Sequence, residues 1–193
     1  MMNKIQAADR WDFLKEKIPS ITALIPMATF DGSMNVYKRK SRVLFYATND
    51  EYSKYANVKI IRGRFINEQD IVSGSSVVVI DDYLADTLFG TTDTIGKYVE
   101  LSTGSKSIKA AVVGVYKNYN LDRMNDSVKE FQCYFPITAM KDLNNNTDIQ
   151  RMAVVASRLT YEKELIKQIT YLLESRYENK DQYDIKRAYN FDW

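Results

Sequence analysis

Val77-Val78-Val79-Ile80-Asp81-Asp82-Tyr83-Leu84-Ala85-Asp86-Thr87-Leu88-Phe89-Gly90 is the best-specified stretch of the chain. Val77 to Ile80 is a continuous β-branched run, the pattern of a strand covered on both faces. Asp81 or Asp82 then caps a helix, whose N-terminal dipole favours a carboxylate. Leu84, Ala85, Leu88 and Phe89 form the buried stripe of that helix. Gly90 stands where a helix-terminating glycine belongs.

Working outward, Ile60-Ile61-Arg62-Gly63-Arg64-Phe65 precedes this unit, with Asp70 just beyond. Val58 to Arg62 reads as a strand, Gly63 as a bend or close backbone approach, and Asn67 to Asp70 as a polar turn. Ser73-Gly74-Ser75 reads as a loop. Downstream lie Ile95-Gly96-Lys97 and Val112-Val113-Gly114-Val115. Lys97 to Leu101 and Ile108 to Tyr116 read as two strands around a turn at Ser102-Thr103-Gly104-Ser105. Asn118 to Lys129 is polar and loop-like, Phe131 to Ile137 is a strand broken by Pro136, and 143–147 is a second polar loop. These strands with little helix suggest a β-rich lobe.

Before Ile60, Asp9 to Ile18 reads as a helix, with Trp11, Leu14 and Ile18 on one face and Pro19 ending it. Ile21 to Thr29 reads as a strand, with Pro26 at an edge or bulge. Asp31-Gly32-Ser33 is a turn signal, and Arg42 to Thr48 is the better strand of a following hairpin. Asn49 or Asp50 caps a short helical turn through Tyr55. Beyond the middle region, Met152 to Ala156 is a strand. Thr160 caps a helix through about Arg176, with Leu165, Ile166, Ile169, Leu172 and Leu173 as its stripe. Tyr183 to Arg187 reads as the last strand.

A chain of 193 residues, 45% hydrophobic and 27% charged, is long and apolar enough for a real core. Net charge is +2, which favours neither nucleic acid nor an anionic surface. Lys38-Arg39-Lys40 with Arg42 reads as a solvated hairpin tip. Histidine is absent, which removes the commonest general base and metal ligand. The single cysteine, Cys133, sits in an apolar run and reads as structural. No segment approaches the roughly 18 apolar residues that span a bilayer. Met1 to Lys4 lacks an apolar signal region, so taken alone the chain reads as cytosolic.

Asp81, Asp82 and Asp86 are the one carboxylate cluster. Capping and solvation account for all three; a stand-alone α+β enzyme would need them to converge in a pocket. Arg62-Gly63-Arg64 could hold an anion, yet one glycine is no phosphate loop. Local pairing, with Asp70 as a partner, is the simpler reading. Tyrosine is abundant at 14 residues, among them Tyr52, Tyr55, Tyr116, Tyr119, Tyr183 and Tyr189. These suit half-buried strands, or the binding face of a secreted ligand-binding module. Two glycosylation-type sequons, at Asn125 and Asn145, match a pattern that is common by chance. No catalytic, cofactor-binding or metal-binding residue is assigned.

The ordered set Ile60 to Phe65 with Asp70, Val77 to Gly90, Ile95 to Lys97 and Val112 to Val115 resembles the extracytoplasmic core domain of MacB-like ABC transporter permeases, the FtsX/LolC type. Ile18-Pro19-Ser20-Ile21 resembles that family's approach to its first strand. In the family a Gly-Arg pair recurs at Gly63-Arg64 without a catalytic role. The resemblance implies an α+β fold of two lobes: a porter-like lobe of β-α-β units over 1–93 and 150–193, and an inserted β-rich lobe over 94–149. It implies a non-catalytic domain on the extracytoplasmic side of a bacterial cell membrane. Such a domain couples cytoplasmic ATP hydrolysis to substrate export or to extracytoplasmic partners. The implied partners are a cytoplasmic ABC ATPase, a second permease copy forming a dimer, and an accessory protein or a peptide or lipid substrate, with no nucleic acid. Chain ends that return to one membrane should lie on one face of the fold.

Overall fold

Strict alternation of apolar residues organises the molecule. The computed structural model describes residues 11–104, 106–119, 131–157, 162–177 and 184–185. Its strands are β1 (Ile21–Val36), β2 (Arg39–Thr48), β3 (Ile60–Gly63), β4 (Val77–Asp81), β5 (Tyr98–Thr103), β6 (Lys106–Tyr116), β7 (Phe131–Pro136) and β8 (Arg151–Ala156). Its helices are α1 (Asp12–Lys17), α2 (Tyr52–Tyr55), α3 (Glu68–Ser73), α4 (Asp82–Phe89), α5 (Met140–Leu143) and α6 (Glu162–Tyr177). The fold is mixed α+β.

Six strands close into a ring in the order β1-β2-β7-β4-β6-β5 and back to β1. The β2–β7 and β4–β6 pairs are parallel and the others antiparallel. Each strand sends alternate side chains inward: Met34 and Val36, Val43 and Phe45, Val78 and Ile80, Val99 and Leu101, Ala110 and Val112, Cys133 and Phe135. All twelve are at most 5% exposed. A two-residue period filled by branched and aromatic side chains is what a small barrel needs to exclude water. A bulge on β6 shifts the phase after Val112, so that Val115 faces the core. Leu84, Ala85 and Leu88 of α4 cover the mouth where β4 ends. Leu143 of α5 covers the other, where Thr103 donates to its carbonyl beside the β5–β6 turn.

β1 is longer than the barrel. Its first half leaves the ring and pairs with β8 from Ile21 to Met27. The two faces of this ribbon do different work. Ile21, Leu24, Met152 and Val154 pack on α1 and α6 through Trp11, Leu14, Ile169 and Leu173. Ile25, Met27, Ala153 and Val155 pack on the outer barrel wall through Val79 and Tyr134.

Several expectations need correcting. Asp31-Gly32-Ser33 is not a turn: it pairs in register with Leu44, Val43 and Arg42. Gly32 serves close packing there, since a Cβ would lie 2.5 Å from the Ser102 carbonyl oxygen and 2.6 Å from the Phe45 ring. The real hairpin tip is Tyr37-Lys38. Asn67 opens α3 rather than a turn, because it forms a capping box with Asp70. Leu143 ends the unanticipated α5. Of the strands in 94–149, β5 pairs with β1, β6 with β4, and β7 with β2 and β4. A strand buried on both faces needs a neighbour at each edge, and β6 and β7 supply them for β4. Thr160, the 120–129 loop and most of the strand expected over Tyr183 to Arg187 lie outside the described residues.

Candidate functional site

Asp81 ends β4 and begins α4. One of its oxygens accepts from Leu84 N at 2.7 Å, and the other accepts from Gln132 N at 2.8 Å. The carboxyl is fully buried, and desolvation pushes its pKa up to about 6 against the lowering effect of those backbone donors. Asp82 accepts from Lys117 Nζ at 2.8 Å and from Asn118 N at 3.1 Å. Asp86 is exposed on the far side of α4 from its buried stripe. The three therefore do not meet around a substrate. Two of them fasten α4 to the ends of β6 and β7, and one faces solvent. Among the described residues no group of His, Cys, Asp or Glu is placed to hold a metal ion.

The Arg62-Gly63-Arg64 bend is set by a crossing of two backbones. Gly63 adopts φ +66°, and a Cβ on it would lie 2.2 Å from the Val113 carbonyl oxygen. A Cβ on Gly114 would lie 2.0 Å from the Arg64 carbonyl oxygen. Arg64 N donates to Val113 O at 2.9 Å across this contact. The Arg64 guanidinium then forks onto buried Asp70 at 2.5 and 3.1 Å. Asp70 also accepts from Asn67 N at 2.9 Å. One residue thus closes both the α3 cap and the ion pair, the local partnership expected from the sequence.

The tyrosines divide. Tyr52, Tyr116 and Tyr134 are buried with Phe65 in a cluster whose ring centroids lie 5.1 to 6.1 Å apart. Burial pushes the Tyr116 and Tyr134 phenols well up. Tyr55 and Tyr119 are exposed, while Tyr183 and Tyr189 lie outside the described residues. Cys133 lies inside the barrel, and burial pushes its thiol well up too. The alternation in Phe131-Gln132-Cys133-Tyr134-Phe135 carries the signal for both: Cys133 faces in and Tyr134 faces out.

One surface feature escaped the sequence reading. An open groove of about 1190 Å³ lies between the Tyr37-Lys38 tip, the end of α4 and the β5–β6 hairpin. The signals were Lys38-Arg39-Lys40 and Tyr98, but three segments distant in sequence build it.

Asn3 and Trp193, expected on one face of the fold, lie outside the described residues. Trp11 and Ile185, near either end of the described chain, pack into the same apolar cluster beneath α1 and α6. No described helix is long and apolar enough to cross a membrane.

The model of the MacB-like periplasmic core domain matches residues 3–172. This chain belongs to that family. Among curated relatives, the macrolide export ATP-binding/permease protein MacB of Neisseria gonorrhoeae is 27% identical over 79 residues, 41% of this chain. The MacB protein of Pasteurella multocida is 26% identical over 113 residues, 58% of this chain. The chain spans only 12% and 17% of the length of these two relatives. Two solved structures share the fold. The extracellular domain of the ABC-type transporter YknZ from Gram-positive bacteria gives a TM-score of 0.75 at 19% identity, covering 91% of this chain and 86% of that one. The periplasmic region of MacB from Actinobacillus actinomycetemcomitans gives 0.72 at 22% identity, covering 94% and 78%.

Proposed function

We propose that this chain is the extracytoplasmic domain of a MacB-like ABC transporter permease. It makes no bonds itself: it passes motion from membrane helices to extracytoplasmic partners or substrate. The observation that supports this most is the convergence of Trp11 and Ile185 on one apolar cluster in a chain of this family. Described residues near both ends that share one cluster suit a domain held by two helices in one bilayer.

The mechanics follow from β1. It is a continuous strand of 16 residues, paired first with β8 and then with β2. A displacement of the α1/α6 layer therefore reaches the barrel through unbroken backbone. A closed, filled barrel has low compressibility and moves as one body. The β1–β8 layer with its helices and the barrel are the two working parts of this proposal. A cytoplasmic ATPase supplies the work, and a second permease copy completes the machine.

Location is tested by thiol labelling in intact cells expressing the full-length protein. Cys133 is the single cysteine of these 193 residues and is wholly buried, so the domain contributes little background, and any cysteine elsewhere in the full-length protein is first replaced by serine. Val72 is 77% exposed. A Val72→Cys variant should react with a membrane-impermeant maleimide before lysis, once any outer membrane is permeabilised. Labelling only after lysis would place the domain in the cytoplasm and end the proposal.

A further inference from the structure

Past Asn35 and Glu100, at one end of the closed ring, β1 and β5 part. These strands pair only over Ser33–Asn35 with Glu100–Ser102, although β1 runs on to Val36 and β5 starts at Tyr98. The groove occupies this gap. Four cations line it, Lys38, Arg39, Lys97 and Lys109, against the single carboxylate of Glu100, while the whole chain carries only +2. The positive charge is therefore local.

The cations are also arranged. Lys97 Nζ lies 5.2 Å from the Phe89 ring centroid and Lys109 Nζ lies 4.3 Å from that of Tyr98. Both lysines remain exposed. Glu100 is held by Ser107 Oγ at 2.6 Å and Asn35 Nδ2 at 3.4 Å, bonds that favour its ionised form, so its one negative charge is outnumbered by the four cations rather than neutralised. Tyr98 is 59% exposed and Tyr37 is fully so. Tyr37 also holds φ +50°, in a two-residue turn where glycine or asparagine would be unstrained. A fully exposed aromatic residue kept at a strained turn position points to a use outside the fold.

We propose that this groove docks an extended acidic segment of a partner protein. An aromatic or aliphatic side chain sits between Tyr37 and Tyr98, and carboxylates meet Lys97 and Lys109. That the partner is extracytoplasmic rests on the reading above, and so does the choice of protein over lipid. β1 carries the chain about 40 Å, from Leu24 against the α1/α6 layer to Val36 at this groove, at ~3.3 Å per strand residue. The domain's own membrane lies at the other end of that path.

The test is selection of random peptides displayed on phage against the whole 193-residue chain, followed by affinity measurement on the enriched peptides. Enriched sequences should alternate Asp or Glu with aromatic or aliphatic residues. Their affinity should fall at least tenfold with K97E/K109E and stay unchanged with K163E/K167E, an equal charge reversal on exposed positions of α6. Tyr37→Gly should raise the melting temperature while weakening the peptides. Enriched peptides without acidic residues, or equal losses in both double variants, would overturn the proposal. So would phosphatidylglycerol vesicles that bind through Lys97 and Lys109 while no peptide does. The Val72→Cys labelling is read independently, so either idea can fail alone.

Discussion

Asp81 makes the fold pH-sensitive in a direction opposite to that of most carboxylates. Its pKa is pushed from an ordinary 3.8 to about 6 by burial. A group whose pKa is higher in the folded state adds stability that is fully present below about 3.8 and lost as pH rises through about 6. Two pKa units at 1.36 kcal/mol each set the amplitude at about 3 kcal/mol. Asp81→Asn removes the titration. The amide oxygen can keep the Leu84 N bond at the head of α4, but an NH2 group must then face Gln132 N, which loses its acceptor at a cost of about 1–3 kcal/mol. At pH 7 that loss offsets the relief of a buried charge, so the two proteins should differ little. At pH 4 the wild type should be the more stable, by about the 1–3 kcal/mol of that single lost bond. Urea unfolding at several pH values between 4 and 7 measures this, and all other carboxylates cancel in the difference. Parallel curves for the two proteins would show that the Asp81 carboxyl is solvated, and would remove the clamp assigned to it between α4 and β7.

Asp70→Ala should destabilise the fold by about 1–3 kcal/mol in urea unfolding, because it breaks the α3 capping box and frees Arg64 together. Phe45→Ala should cost about 3–5 kcal/mol, leaving a hole in the barrel that neighbouring strands cannot fill. Gly63→Val should prevent folding as judged by circular dichroism, since its backbone meets the Val113 carbonyl at a positive φ. Cys133 should react with a thiol reagent only at the rate of global unfolding, so its labelling rate should rise in step with each destabilising substitution.

What the sequence made legible was local. Val77 to Gly90 could be read correctly because strand, cap, stripe and glycine all lie within one short segment. The pairing of Arg64 with Asp70 was legible for the same reason, at six residues' separation. What failed was non-local. Asp31-Gly32-Ser33 has turn composition, but Phe45 and Ser102 from other strands demand a glycine inside a straight β1. The ring of six strands depends on β5, β6 and β7 closing on β1, β2 and β4, which no window of sequence contains. The groove draws Tyr37, Phe89 and Tyr98 together only after that closure. The family resemblance reached the family because several motifs between Ile60 and Lys117 keep one order and spacing, not because any of them carries chemistry.

The central claim is that motion passes through this domain as through one body. Spin labels at Lys167 on α6 and Asp86 on α4, both exposed, report its internal distance in the assembled transporter. The account predicts that this distance is the same with and without bound ATP, while a label at Asp86 moves relative to its counterpart in the second copy. An internal distance that changes with nucleotide, between copies that stay fixed, would contradict it.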